Sequence, residues 1–163
     1  ARTMVDCVPF VPGVFIHRDP LLVLASIDRR PPGWAREGSD LVGRYEIAAS
    51  ADPLEQAAHI LAAYLRSALD AEAHGILRLV AYPDIIDRFI DGDLPTYFGY
   101  EVDEATRVRM IAAAKYHSKE PGRRFVADED KKRAQAEATP GLVELVEREL
   151  GDLYQEVLAR SGY

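Results

Sequence analysis

Arg18 and Ser26 are the side chains of this chain best suited to hold an anion. Arg18 follows a short apolar run, GVFIH at 13–17, and Ser26 sits eight residues further on, inside the next apolar stretch. A guanidinium offers a planar fork of donors and stays charged, and a hydroxyl adds a neutral donor. If the first run is a strand and the second a helix, the free N–H groups and positive end of the helix lie beside Arg18. Phosphate is the anion such a corner holds. Asp19 brings a negative charge to the same helix start, either as the cap or as a group that orients Arg18. The residue types equally allow a plain reading, in which Arg18 pairs with Asp19 or another neighbour and Ser26 bonds back into its own helix.

A second basic feature is HSKEPGRRF, residues 117–125. Lys119, Arg123 and Arg124 surround a turn in an otherwise acidic chain. A cationic loop can fold over a phosphate, and it can also be a solvated surface loop. His17, His59, His74 and His117 show no metal-ligand spacing with Cys, Asp or Glu. His59 is expected at the edge of a helix's buried face, and His17 is expected in the core rather than as a base. Trp34 either stacks on a substrate ring or anchors its loop. GWAREG carries two glycines at the spacing of a phosphate loop but is followed by Ser-Asp, so the Lys-Ser/Thr of that motif is missing.

These residues need elements to place them. Residues 13–17 read as a buried strand, and Asp19 and Pro20 as the cap and first residue of an apolar helix. RRPPGWAREG stops that helix, and 31–50 is expected to be a loop with short helical pieces at most. Asp52, Pro53 and Glu55 open the clearest helix, whose stripe of Leu54, Ala57, Ala58, Leu61, Leu65, Ala68 and Leu69 runs to a stop at Gly75. ILRLVA at 76–81 reads as a second strand. Strand, helical crossover and strand predict a parallel sheet. Pro83 to Ile90 reads as a short helix, LPTYFGYEV as an aromatic connector, and Asp103 as the cap of a helix to about Tyr116. The acidic residues at 101–104 and 128–130 read as helix-start charge. A last helix starts at Thr139 and Pro140, with Leu142, Leu145, Val146, Leu150, Leu153 and Val157 facing inward.

The chain has 163 residues, 48% of them hydrophobic, and a formal net charge of −7. One domain, residues 1–163, with a real core is the simplest organisation. The acidic balance speaks against broad binding to nucleic acid or to an anionic membrane. The single cysteine, Cys7, cannot form a disulfide within the chain, which together with the lack of a long apolar run suggests a cytoplasmic protein.

On these motifs the sequence resembles the C-terminal portion of bacterial sulfotransferases of the P-loop-like kind. FIHRDPLLVLASI looks like the family's second phosphate motif, LRLVAYPDIIDRFI like its later strand and helix with Tyr82, Asp84 and Ile85, and AKYHSKEPGRRFVADEDKKRAQAEATPGLVELVERELGDLYQEVLA like its tail. The resemblance implies a helix-rich α/β, parallel-sheet fold and an enzyme that moves a sulfuryl group from 3′-phosphoadenosine 5′-phosphosulfate to a hydroxyl or amine of a small-molecule acceptor. It places the 3′-phosphate on Arg18 and Ser26, with Lys119, Arg123 and Arg124 closing over the nucleotide. Loop 31–50 and the aromatic patch Tyr97–Tyr100 become candidates for the acceptor wall. The family's N-terminal strand, phosphosulfate-cradling loop and catalytic base have no counterpart here, so the sequence is expected to be a fragment and no general base is assigned. Two other readings stay open: a non-catalytic nucleotide-binding or interaction module derived from that fold, and a kinase-like phosphotransferase.

Overall fold

A computed structural model describes residues 12–35, 40–44, 50, 52–116 and 129–162. In chain order these are β1 (Gly13–His17), α1 (Pro20–Arg29), a 3₁₀ turn (Gly33–Ala35), α2 (Asp40–Arg44), α3 (Pro53–Ala73), β2 (Leu77–Ala81), a 3₁₀ turn (Tyr82–Asp84), α4 (Ile85–Ile90), α5 (Leu94–Tyr97), α6 (Glu104–Ala114), α7 (Glu129–Glu137) and α8 (Leu142–Arg160). The protein is a helix-rich α/β structure. β1 and β2 pair in parallel with Gly13 opposite Leu77 and His17 opposite Ala81, as the strand–crossover–strand order predicts.

Local chemistry sets the helix starts. The Asp19 carboxylate accepts from the Leu21 amide at 2.8 Å, and Pro20 needs no amide partner at the first helical position. Asp52 caps α3 in the same way through the Leu54 amide. The expected reciprocal bond from Glu55 takes a detour. The Asp52 amide donates to Ser50 Oγ, and that hydroxyl donates to Glu55 at 2.6 Å. Asp103 caps α6 through the Thr106 amide.

The core lies where α1, α3 and α8 meet under the sheet. Leu24, Leu142, Leu150 and Val157 are fully buried there, beside Ala57, Ala58 and Leu79. α3 packs along α8, and α1 rests on both. Trp34 packs against this core, so it anchors its loop. α7 adds one buried residue, Ala136, and α6 adds none. No helix among the described residues is long and apolar enough to cross a membrane.

Beyond β2 an ionic and aromatic latch holds α4 and α5. Arg78 on β2 and Arg88 on α4 both donate to Asp93, which keeps its carboxyl below the usual carboxylate range. The Arg78 guanidinium lies 4.2 Å from the Tyr97 ring centroid. Phe98 stacks with Phe89 and Tyr100, and the Tyr97 hydroxyl donates to the Gly13 carbonyl at 2.9 Å.

Candidate functional site

Arg18 is the first residue beyond the carboxyl end of β1, and α1 begins two residues later. At this end of the parallel pair the structure has a cavity of about 600 Å³. It is walled by the start of α1, by Ala81 at the end of β2 and Pro83 beyond it, by Glu129 and Arg133 of α7, and by the Val143 and Tyr154 face of α8. Crevices outside the carboxyl ends of parallel strands are where α/β proteins hold ligands, because helix N-termini and loops converge there.

The cavity's charge is mixed. Arg18 and Arg133 face Asp19, Glu129 and Glu147. Arg18 Nη2 donates to Glu129 Oε1 at 2.7 Å, and its guanidinium lies 5.0 Å from the centroid of the Tyr82 ring. Arg18 Nε is buried with no hydrogen-bond partner among the described residues, so this fork has a donor to spare. Arg133 donates to Asp19, the same carboxylate that caps α1. Both arginines of the cavity are therefore already engaged by carboxylates, and an incoming anion must compete with Glu129 for Arg18.

His17 closes β1 behind this corner and is buried. Its Nε2 lies 2.8 Å from Ser161 Oγ, its ring meets Tyr154 edge-on at 5.8 Å, and Nδ1 has no partner among the described residues. Burial pushes its pKa below the ordinary imidazole value, with Asp84 opposing weakly. The sequence expectation of a core histidine agrees with this position. Burial and the nearby Asp19 raise the Tyr154 phenol to about 12, so its ring faces the cavity as a neutral group.

The structure separates several residues that the sequence grouped. Ser26 is exposed on α1 and does not line the cavity. It does not bond back into its helix either, since no hydrogen bond of its hydroxyl is seen among the described residues. The aromatic patch Tyr97–Tyr100 is tied to Gly13, the opposite end of β1 from Arg18, and does not line the cavity. Lys119, Arg123 and Arg124 lie outside the described residues, as do parts of loop 31–50. Glu129 and Arg133 went unnoticed as site residues because only tertiary packing brings α7 to β1.

The fold also groups one histidine with two carboxylates away from this cavity. Glu55 and His59 stand four residues apart on one face of α3, and Glu149 of α8 meets them. The signal, Glu-x-x-x-His inside a confident helix, was present in the sequence.

No family model matches the chain, and comparison with curated proteins and with solved structures finds no match either.

Proposed function

We propose that this chain carries the 3′-phosphate side of a sulfotransferase of the P-loop-like kind. Its reaction passes a sulfuryl group from 3′-phosphoadenosine 5′-phosphosulfate to a hydroxyl or amine, and adenosine 3′,5′-bisphosphate leaves. The observation that carries this reading is the position of Arg18. It is a guanidinium at the carboxyl end of a parallel strand, beside a helix start and at a cavity, inside a sequence segment that resembles the family's 3′-phosphate motif. The partnerless Nε of Arg18 and the 600 Å³ of the cavity suit a phosphate-bearing small molecule.

Arg18 acts on affinity in this scheme, since the 3′-phosphate is remote from the reacting sulfur. It releases Glu129 and donates to the phosphate oxygens, while Tyr82 keeps its guanidinium plane in place. In-line transfer of the sulfuryl group from the phosphate oxygen to the acceptor oxygen or nitrogen asks a protein mainly for positioning and charge stabilisation.

Calorimetry with adenosine 3′,5′-bisphosphate and with ATP tests the proposal. The bisphosphate should bind more tightly than ATP without magnesium, and Arg18→Ala should weaken it by about 1.5–3 kcal/mol, the worth of a charged hydrogen bond. Unchanged affinity in Arg18→Ala, or a preference for magnesium-ATP, refutes it. The carboxylates already paired with both arginines favour a second reading, a non-catalytic module of the same fold. That protein binds the bisphosphate but transfers nothing.

A further inference from the structure

Away from the Arg18 cavity, α3 and α8 bring Glu55, His59 and Glu149 together. One ligand atom from each, two carboxylate oxygens and an imidazole nitrogen, all lie within 4.8 Å of one another. His59 Nε2 is 3.6 Å from Glu149 Oε2. Ligand atoms of a tetrahedral zinc centre, with bonds of about 2.0–2.2 Å, stand roughly 3.3–3.6 Å apart. The His59–Glu149 edge already has that length. All three side chains are partly buried, with His59 and Glu149 at 20% and 25% exposure. They project from the most extensively packed helix pair among the described residues, so their backbones are fixed before any ion arrives.

We infer that Glu55, His59 and Glu149 form a binding site for a divalent transition-metal ion of the zinc class, which clasps α3 to α8. One imidazole with two carboxylates suits zinc, cobalt or manganese, whereas magnesium and calcium prefer oxygen alone. Three protein ligands leave a fourth position for water. None of the three lines the Arg18 cavity, so the site stands or falls apart from the nucleotide reading.

Arg148 competes with the metal for these carboxylates, and the Ser50 hydroxyl holds the other oxygen of Glu55. The Arg148 guanidinium bridges the two carboxylates, 2.7 Å from Glu149 Oε1 and 3.2 Å from Glu55 Oε1. It is 58% exposed, so it can swing into water at little cost. A second cavity of about 280 Å³ is lined by Asp52, Glu55 and Arg148, so Glu55 faces open space on that side. Arg148 therefore serves as the counter-ion of the metal-free protein.

Titration of the whole chain with Zn²⁺ alone, by calorimetry at neutral pH, tests the site. One ion should bind per chain and raise the melting temperature, and a chelator should reverse the shift. Co²⁺ in its place should show the visible absorption of a four-coordinate centre. Partners one shell further out are worth about 10–100-fold in metal affinity, so loss of a direct ligand in His59→Ala or Glu149→Gln should cost about 100-fold or more. Arg148→Met should bind zinc roughly two- to tenfold more tightly, the worth of the ion pairs the metal otherwise breaks. His74→Ala, which removes an exposed histidine paired with Asp70, should change nothing. The inference is overturned if the wild type takes up no ion in one-to-one ratio. It is equally overturned if folded His59→Ala and Glu149→Gln proteins, checked by circular dichroism, bind zinc as the wild type does.

Discussion

Ser161 Oγ lies 2.8 Å from His17 Nε2, joining the residue just past α8 to the last residue of β1. The Ser161 hydroxyl donates to the Val157 carbonyl at 2.5 Å. Its oxygen is therefore the acceptor for His17, which carries its proton on Nε2 and leaves Nδ1 bare. A second proton on that ring would be buried without a partner.

This arrangement makes stability depend on pH. The folded pKa of His17 lies below the ordinary 6.5, so the unfolded chain takes the proton more readily. The contribution is complete above about pH 6.5 and drains away as pH falls towards the folded value. Melting temperatures measured from pH 7.5 to 5.5 should decline in the wild type, and less steeply in His17→Gln. Parallel curves would disprove it.

Glu129 holds Arg18 closed against an anion. Glu129→Gln keeps the shape, removes the charge and should tighten adenosine 3′,5′-bisphosphate by about three- to tenfold, the worth of a partly exposed ion pair. A weaker complex in that variant would mean that Glu129 helps to hold the ligand.

Leu150 is fully buried between α8 and its neighbours. Leu150→Ala should cost about 2–5 kcal/mol, lost transfer energy plus the cavity left behind. Urea denaturation measures it, and a loss under about 1 kcal/mol would place this side chain outside the core.

Gly92 stands where α4 turns towards Asp93. A Cβ there would lie 2.6 Å from Arg88 Cα and 2.9 Å from its carbonyl oxygen, both backbone atoms that cannot step aside. Gly92→Ala should destabilise by about 1–3 kcal/mol. Gly33→Ala, with nothing within 4 Å of the new methyl, should stay within about 0.5 kcal/mol of the wild type. Equal effects at the two glycines would count against the packing described for α4.

Elements whose signals are local were legible in the sequence. The Asp-Pro starts of α1 and α3 declare themselves within three residues, and GVFIH marks β1 by its apolar types. α7 was visible only as the first-turn charge of Glu129 and Asp130, because it buries a single alanine and so shows almost no apolar stripe. The pairing of Arg18 with Glu129 crosses 111 residues and has no local signature. Ser26 shows the converse limit. Spacing places a hydroxyl eight residues after Arg18, but the helix's rotation leaves it exposed outside the cavity wall.

The packing of α3 along α8 joins segments that are far apart in the order of synthesis. Residues 53–73 are translated long before 142–160, so the side of α3 that packs on α8 stays uncovered while α4 to α7 are made. Nascent chains halted before Leu142 would lack both the far wall of the Arg18 cavity and the α8 share of the core, Leu142, Leu145, Leu150 and Val157. Such chains are natural clients for chaperones, and premature termination here should give aggregates rather than a shortened working protein.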